Sequence, residues 1–363
     1  MTKPNTYLDT ELRRGRACLA VLATVALSAC SADVMAPHSI SPTTGMVLNI
    51  PIAKSSLVML PTGSYGCGRA MAVNSTGVEG GNVFDCATPG IAHAALWVNG
   101  TLVVLPALAS NGTSNVTALA DDSTAVGFTV DALGVSHAAS WKNGALTLLA
   151  GGMNGTAVGI GSDGVIVGSI LLGGVRIPAL WVNGSLLTDA QPQGYVGARF
   201  NSRAVGVVAG TALNPVNGVV RGTRAFRWWG PGNYQLLDLP AAASSVALGE
   251  VNDLGTVAGV AFGASGVMSV YWPGGSTTPV TVPVPSGYAS SDMRAINNAG
   301  IIAGSLTGIG VGAATDPVTY DTQKGKWFKL ASSGSFGAVY GSNDLAMFAG
   351  SVGTTSPQPV LWR

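Results

Sequence analysis

A unit of about 40–50 residues recurs seven times along this chain, and this repeat limits the possible folds more than any other feature. Its most regular element is a glycine that follows a turn-forming position, and an aromatic residue alternates with it. Self-similarity at this period is typical of solenoids and propellers, in which identical supersecondary units pack side by side. The glycines are Gly81, Gly127, Gly168, Gly210, Gly259, Gly304 and Gly350, and the aromatic residues are Trp97, Trp141, Trp181, Trp228, Trp272, Tyr320 and Trp362.

Each unit contains two hairpin signals. Asn-Gly pairs such as Asn99-Gly100 separate alternating apolar segments, which is the strongest short-range indication of a two-residue hairpin. Asn-x-x-Gly segments such as Asn297–Gly300 mark the second hairpin, because Asn and Gly tolerate positive φ. Two hairpins per unit give four antiparallel strands, so the sequence predicts an all-β, seven-bladed β-propeller of four-stranded antiparallel blades. An open β-solenoid is the alternative.

The two ends of the repeat region complement each other. The last unit begins near Ala338 and stops at Arg363, so it lacks its outer strand, whereas Ser56–Pro61 reads as an outer strand without a blade. Pairing of these segments would complete the last blade with the N-terminal strand and leave no exposed sheet edge. A solenoid does not require this complementarity. Closure therefore predicts that Val58 lies beside Leu361.

Composition agrees with a packed domain and argues against a nucleic-acid-binding protein. Hydrophobic residues make up 47% of the chain, enough for a core, and charged residues only 10%, against roughly 25% in ordinary domains. The net charge is +1, so there is no electrostatic footprint for nucleic acid. No motif indicates a cofactor, and we expect none.

The N-terminus has the features of an export signal. Basic residues including Arg13, Arg14 and Arg16 precede an apolar stretch over residues 17–29 that is too short to span a bilayer. Leu27-Ser28-Ala29-Cys30 resembles the lipobox of bacterial lipoproteins, which implies cleavage before Cys30 and acylation of that cysteine. An ordinary signal with an unrelated cysteine is the alternative. We expect a signal peptide at 1–29, a flexible tether at 30–54, the propeller at 55–363, and anchoring to the outer membrane, facing the periplasm or the surface.

The repeat also resembles a known family, the extracellular HAF-repeat proteins. Their unit reads His-Ala-Phe-x-Trp, then Asn-Gly, then Ile-Asn-x-x-Gly-x-Val-Val-Gly. Three segments of this chain are similar to the first element: His93–Trp97, His137–Trp141 and Arg224–Trp228. The resemblance covers residues 56–363 in degenerate form. It implies an exported bacterial propeller-like domain and no known catalytic activity.

Cys67 and Cys86 would face each other across the first hairpin, in an oxidising compartment, and this favours a disulfide over a metal or redox pair. His93 and His137 occupy equivalent positions four residues before tryptophan. A metal site is one interpretation, but a repeated position favours a structural role, each histidine packed beside its own tryptophan. No Gly-x-Ser-x-Gly segment supports a Ser-His-Asp triad, so we predict neither a metal site nor catalytic residues.

Two groups of residues are candidates for ligand contact. The longest connections, Leu171–Ile177, Ala190–Tyr195, Thr211–Thr223, Ala261–Met268 and Leu306–Asp316, should emerge on one face, where binding usually resides. The first group lies on or near these connections, and the second falls on predicted inner strands that line the central channel. The binding-face candidates are Arg176, Tyr195, Arg221, Arg224 and Tyr288, and the channel candidates are Arg69, Arg199, Glu250 and Arg294. Ion pairing at strand ends is the alternative for the channel group.

These patterns favour a monomeric, lipid-anchored envelope propeller that binds or scaffolds a protein or glycan without catalysis. A propeller-type hydrolase or lyase acting on a polysaccharide is the alternative function. A fold hosts many functions, so the repeat alone does not choose between them.

Overall fold

The structure is a computed structural model that describes residues 50, 51, 53, 55–188, 191–216, 219–264 and 266–363, without the side chains of 216 and 219–221. The predicted signal peptide, Cys30 and most of the predicted tether lie outside these residues. The described chain is all-β, with one 3-10 turn at Gly63–Tyr65. None of its helical segments is long and apolar enough to cross a membrane.

In the described part of the chain, twenty-eight strands form seven four-stranded antiparallel sheets, the blades of a β-propeller. Blades 1 to 6 each contain four consecutive strands. Blade 1 consists of β2 (Gly66–Val73), β3 (Glu79–Asp85), β4 (Ala92–Val98) and β5 (Thr101–Val104), and blade 2 of β6 (Ser114–Leu119), β7 (Ala125–Val130), β8 (Ser136–Lys142) and β9 (Ala145–Met153). Blade 3 consists of β10 (Thr156–Ile160), β11 (Ile166–Leu172), β12 (Val175–Val182) and β13 (Ser185–Thr188), and blade 4 of β14 (Val196–Ala204), β15 (Val207–Val216), β16 (Val219–Trp228) and β17 (Tyr234–Leu236). Blade 5 consists of β18 (Ala243–Val251), β19 (Val257–Gly263), β20 (Gly266–Trp272) and β21 (Val280–Thr281), and blade 6 of β22 (Tyr288–Ile296), β23 (Ile301–Gly308), β24 (Thr315–Asp321) and β25 (Lys326–Lys329).

Blade 7 joins the two ends of the domain. It consists of β26 (Gly337–Ser342), β27 (Phe348–Val352), β28 (Gln358–Trp362) and, as its outer strand, β1 (Leu57–Met59). Val58 pairs directly with Leu361, which confirms the predicted closure and excludes an open solenoid. The first strands of successive blades contact one another all the way round, from β2 to β26 and back to β2. These first strands are therefore the inner strands, as predicted.

Two residues of the predicted tether, Pro51 and Ala53, are hydrogen-bonded to blade 6. The Ala53 amide donates to the Lys329 carbonyl at 2.7 Å, and the Lys329 amide donates to the Pro51 carbonyl at 2.9 Å. Ile50 packs into the cluster of Val282 and Met293. The segment covers the free edge of β25, and an exposed sheet edge favours such pairing.

The hydrophobic core lies between the blades. Each of seven clusters combines buried residues from two neighbouring blades, such as Val116 and Trp141 with Leu96 of the preceding blade. The repeated tryptophans fill these interfaces, and the indole N–H of Trp97, Trp141, Trp181, Trp272 and Trp362 donates to a carbonyl of the preceding blade. Trp141 Nε1, for example, donates to the Pro106 carbonyl, which follows β5, at 2.8 Å. The tryptophans are thus core residues, as the repeat predicted, and a carbohydrate-stacking array of buried indoles is ruled out for them.

The inner hairpins fasten the ring on one side. Asn297 is buried, its Oδ1 accepts the Ile301 amide at 3.0 Å within its own turn, and its Nδ2 donates to the Asn343 carbonyl of the next blade at 3.3 Å. Asn252, Asn343 and Asn74 make the same pair of contacts. In these inner turns φ is positive at the fourth residue, such as Gly300 (φ 74°). In the outer Asn-Gly turns both residues have positive φ, Asn99 at 51° and Gly100 at 75°.

Candidate binding face and central channel

Connections leave each blade on two opposite sides. We call the side of the Asn-x-x-Gly and Asn-Gly turns the turn face, and the side of the second-to-third and fourth-to-first strand connections the loop face. The prediction of long irregular loops on the loop face is wrong for three segments. β11 and β12 continue to a two-residue turn at Gly173-Gly174, and β15 and β16 pair as far as Val216 with Val219. β19 and β20 likewise pair as far as Gly263 with Gly266.

Two of the predicted arginines have buried hydroxyl partners within their own blades, Arg176 in blade 3 and Arg199 in blade 4. Arg176, on β12, donates to Ser169 Oγ at 2.9 Å, and Arg199, on β14, donates to Thr211 Oγ1 at 3.3 Å. Burial lowers the pKa of Arg176, and burial together with the positive charge of Arg176 lowers the pKa of Arg199. Neither guanidinium takes part in any of the ion pairs found in the described part of the chain. Each guanidinium is therefore a positive charge that is partly removed from water and has no carboxylate partner in those ion pairs.

The remaining arginine candidates are dispersed. Arg69 lies over the Phe84 ring, 5.1 Å from its centroid, on the first blade. Arg224 lies on β16 opposite Ala212, and its buried Nε has no hydrogen-bond partner. The backbone of Arg221 belongs to the same strand, and its side chain is outside the described residues. These residues lie on strands rather than on loops, because β16 extends through the predicted connection.

The two tyrosine candidates have structural contacts. Tyr288 donates to Asp316 Oδ2 at 2.6 Å, and Lys329 Nζ lies 2.8 Å from the same oxygen. Burial alone would raise the pKa of Asp316, but the hydrogen bonds from Lys329 and Tyr288 outweigh it and lower the pKa. Tyr195 packs partly buried against the cluster around Phe200. Sequence reasoning missed Asp316 and Lys329 as partners, because they come from different strands and show no common motif.

Glu250 is the distinctive residue of the channel. Its Oε2 accepts the Ile296 amide of blade 6 at 2.9 Å and the Ser342 hydroxyl of blade 7 at 3.1 Å, so one side chain bridges three blades. Burial raises the pKa of Glu250 to about 7. Arg294, the neighbouring candidate, forms a bidentate pair with Asp292 at 2.6 and 2.9 Å and is thus neutralised. The ion-pair alternative therefore holds for Arg294 and not for Glu250.

The histidines have other partners than expected. His93 lies 5.0 Å from the Tyr65 ring, and His137 Nε2 lies 3.0 Å from Asp131 Oδ2. The prediction that each packs beside its own tryptophan is wrong, because residues four apart on a strand point to one face but lie about 13 Å apart. No group of His, Cys, Asp and Glu side chains suited to a metal occurs among the described residues. Cys67 and Cys86 form a disulfide with a Cα–Cα distance of 5.2 Å.

One exposed aromatic residue was overlooked. Trp229 follows the periodic Trp228, is 43% exposed, and stands beside a groove of about 330 Å³ between blades 3 and 4. The groove opens on the turn face and is lined mainly by apolar side chains, including Leu180 and Pro231. The sequence signal that could have identified this residue is that Trp229 does not belong to the periodic tryptophan series.

Comparisons with known proteins agree with this fold at low sequence identity. No family model matches the chain, and no curated protein matches it. Among solved structures, an oligogalacturonate lyase from Vibrio parahaemolyticus superposes with a TM-score of 0.55 at 12% identity, over 85% of this chain and 98% of that chain. A virginiamycin B lyase from Staphylococcus aureus superposes with a TM-score of 0.50 at 12% identity, over 85% and 99%.

A third neighbour is TolB from Acinetobacter baumannii, with a TM-score of 0.50 at 12% identity over 71% of this chain. The match spans 64% of the TolB chain, less than two thirds of its length. At such identities the similarity establishes the β-propeller fold alone, since one fold hosts many unrelated functions.

Proposed function

We propose that this chain is a non-enzymatic binding or scaffolding module of the bacterial cell envelope, related to the HAF-repeat proteins and anchored by a lipid on Cys30. Its loop face would capture an envelope protein or glycan, and the chain would act as a monomer. The export signal and lipobox in the sequence support the location. The contrast between the two faces of the propeller supports the function.

That contrast is the observation that carries the proposal. On the turn face, polar side chains are committed to joining the blades, as Asn298 shows by donating to both Asp253 and Asp344 at 2.7 Å. Near the loop face, Arg176 and Arg199 have hydroxyl partners only. Charged groups that are not used to hold the fold together are candidates for ligand contact.

Partner capture tests the proposal. Mild crosslinking in cells followed by purification should recover a specific envelope partner with the unaltered protein. Alanine substitution at Tyr195, Arg176 and Arg224 should abolish capture while circular dichroism shows that each variant stays folded, because a substitution at a partly buried position typically costs about 1 kcal/mol, less than the stability of a native domain. Lys142→Ala on the turn face is the matched control. Capture that survives every loop-face substitution would place the binding site elsewhere.

The anchor has its own test. Replacement of Cys30 by serine removes the sulfur that would carry the lipid, and two or three acyl chains are needed for stable anchoring. We expect the protein to move from the membrane fraction to the soluble periplasmic or extracellular fraction. An unchanged distribution would contradict lipid anchoring at Cys30.

One observation favours the alternative hydrolase or lyase. A carboxyl with a pKa near neutrality suits general acid–base catalysis, and Glu250 has this property in the channel. Its oxygen, however, is engaged by Ile296 and Ser342. Incubation with acidic and neutral polysaccharides should give no Glu250-dependent cleavage. Cleavage that Glu250→Gln abolishes would replace the binding proposal.

A further inference from the structure

The loop face presents large aliphatic side chains at the ends of its hairpins. The second-to-third strand connections of blades 2, 3 and 6 carry them furthest into solvent. Leu133 is 89% exposed, Leu172 is 61% exposed and Ile309 is 70% exposed. Val311, two residues after Ile309, is fully exposed. We call Leu133, Leu172, Ile309 and Val311 the apolar tips.

The chain around the apolar tips is uncharged. The connections within blades that contain no Asp, Glu, Lys or Arg are 132–134, 173–174, 263–266 and 309–314, and the connections between blades that contain none are 60–65, 105–113, 282–287 and 330–336. The carboxylate next to the first tip, Asp131, is used within its own turn. It accepts the Leu133 and Val135 amides at 2.9 Å, and its second oxygen lies 3.0 Å from His137 Nε2. The tips can therefore leave water without taking an unpaired charge with them.

The turn face lacks this property, although it also exposes leucines. Leu254 and Leu345 are 68% and 65% exposed, similar to Leu172. Each of them directly follows an exposed aspartate, Asp253 or Asp344. Moving a leucine with an adjacent carboxylate into an apolar phase is costly, because the charge must be desolvated as well. Exposed apolar side chains on the two faces thus differ in their surroundings and not in their accessibility.

The form of the tips suits a lipid surface better than a protein surface. Each tip is an aliphatic side chain at a turn and is followed by glycine, as in Leu133-Gly134, Leu172-Gly173 and Ile309-Gly310. Protein interfaces have a contiguous, well-packed centre that is enriched in aromatic residues and arginine. A fluid hydrocarbon phase accepts separate aliphatic side chains, since the hydrophobic effect is not directional.

The expected anchor places such a surface within reach. Cys30 precedes Ile50 by 50 − 30 = 20 residues, and 20 residues span at most about 70 Å when extended. A lipid on Cys30 would therefore keep the propeller close enough to the bilayer for one face to rest on it. Insertion of the tips then becomes an intramolecular event, for which individually weak contacts are sufficient.

We propose that the loop face docks on the lipid bilayer, with the apolar tips inserted at the boundary between headgroups and acyl chains. This inference rests on the lipid anchor of the proposed function. It also narrows the partner of the loop face to a protein or glycan that lies at that membrane. The polar turn face would point away from the lipid, into the aqueous compartment.

Vesicle flotation tests the docking without the anchor. The protein is the mature chain from residue 30 with Cys30→Ser, and the vesicles contain phosphatidylethanolamine and phosphatidylglycerol. We expect the protein to float with the vesicles, even in about 1 M salt, which screens exposed charges. L133S, L172S and the double variant I309S/V311S should each weaken vesicle binding about tenfold, the effect of withdrawing one aliphatic side chain from lipid.

The matched controls are L254S and L345S on the turn face. They make the same substitution at comparable exposure and should leave vesicle binding unchanged. All these positions are exposed, so the melting temperatures should stay close to that of the unaltered protein. Absence of flotation, loss of flotation in high salt, or equal weakening by tip and turn-face substitutions would each overturn the docking of the apolar tips.

Photocrosslinking in cells identifies what the tips contact in the anchored protein. A photoreactive side chain at Leu133 should give adducts with phospholipid, and one at Leu345 should not. A protein adduct at Leu133 would instead make the tips part of a protein interface, and an adduct with a second copy would make them a dimer interface. Vesicle binding is measured with no partner present. Loss of docking with intact partner capture, or the reverse, therefore shows which of the two proposals has failed.

Discussion

Tyr320 occupies the position at which the other six blades carry tryptophan, yet an indole still joins blade 6 to blade 5. Trp327, on the adjacent outer strand, packs against Tyr320 with ring centroids 5.0 Å apart. Its Nε1 donates to the Pro283 carbonyl at 3.1 Å. The equivalent carbonyl in other blades accepts from the periodic tryptophan, as Ala331 does from Trp362. A residue from a different strand thus restores the same inter-blade contact.

We predict that Trp327→Phe lowers the free energy of unfolding by about 1 kcal/mol, the usual net contribution of one hydrogen bond. Phenylalanine keeps an aromatic ring beside Tyr320 but removes the N–H donor and part of the volume of the indole. Chemical denaturation monitored by circular dichroism measures the change. Trp229→Phe is the control, because Trp229 is exposed beside the groove. Equal effects of both substitutions would contradict the assigned role of Trp327.

Two buried glutamates predict how stability depends on pH. Burial raises the pKa of Glu250 and of Glu79 from 4.5 to about 7. The folded state therefore binds protons more tightly than the unfolded state. Stability from these groups is fully present below pH about 4.5 and is lost as the pH rises through about 7. Hydrogen bonds from Lys142 and Thr124 lower the pKa of Asp122 to about 2. The stability that this carboxylate contributes is therefore lost only in more acidic solutions, as the pH falls through about 2.

We therefore expect the protein to be more stable at pH 5 than at pH 8. Glu250→Gln should reduce this difference by at most about 3 kcal/mol, because each pKa unit corresponds to about 1.4 kcal/mol. Glutamine preserves an acceptor for the Ile296 amide and has no charge to desolvate. Glu79→Gln should act independently. Urea denaturation at several pH values measures the free energy of unfolding of both variants. If its dependence on pH is the same in both variants as in the unaltered protein, the two carboxyl groups do not have the raised pKa values.

At the scale of the strand, the seven repeated glycines mark a bulge. Every inner strand has an irregular register immediately after the residue that pairs with the glycine, as at Val116, the partner of Gly127. A methyl group on Gly127 would collide with the Asn115 carbonyl oxygen of β6. The other six glycines meet the corresponding carbonyl in the same way. Glycine recurs because the bulge brings backbone against backbone, a recognised reason for glycine within a strand.

Gly127→Ala should therefore destabilise the protein by about 1–3 kcal/mol, the usual cost of overpacking. The backbone oxygen that blocks the methyl group belongs to the ring of inner strands and cannot move away alone. Gly90→Ala is the matched control, since nothing lies within 4 Å of the added methyl group and φ is not positive there. Denaturation midpoints of the two variants measure the effect. Similar midpoints would mean that the bulge does not require glycine.

The bulges show which parts of the structure the sequence could predict. Side-chain periodicity gave the blade count, the strand order and the closing strand, because these follow from repeated apolar and turn residues. The glycine series was visible, but its cause was not, since a bulge is a backbone contact without a side-chain signature. The hydroxyl partners of Arg176 and Arg199 were likewise hidden. Ser169 and Thr211 come from neighbouring strands, and no motif joins them to the arginines.

At the scale of the molecule, the ring depends on a short N-terminal strand. β1 supplies three paired residues to blade 7, and Leu60 adds a buried side chain to the cluster with Trp97. The Pro61 carbonyl accepts the Trp97 indole N–H at 2.7 Å, which links the closing strand to blade 1. The segment therefore holds together the first and last blades, although it belongs to neither in sequence order.

We predict that deletion of residues 1–61 lowers the free energy of unfolding by about 3 kcal/mol or more, since burial of one large aliphatic side chain contributes about 1.5–3 kcal/mol. The exposed edge of β28 should also cause concentration-dependent aggregation, because unpaired strand edges associate. Deletion of residues 1–49 is the control and should preserve stability, because β1 and the segment paired with Lys329 remain. Light scattering and denaturation measure the two effects. If the longer deletion unfolds at the same denaturant concentration as the shorter one and stays monomeric, then pairing of β1 with β28 does not hold the propeller closed.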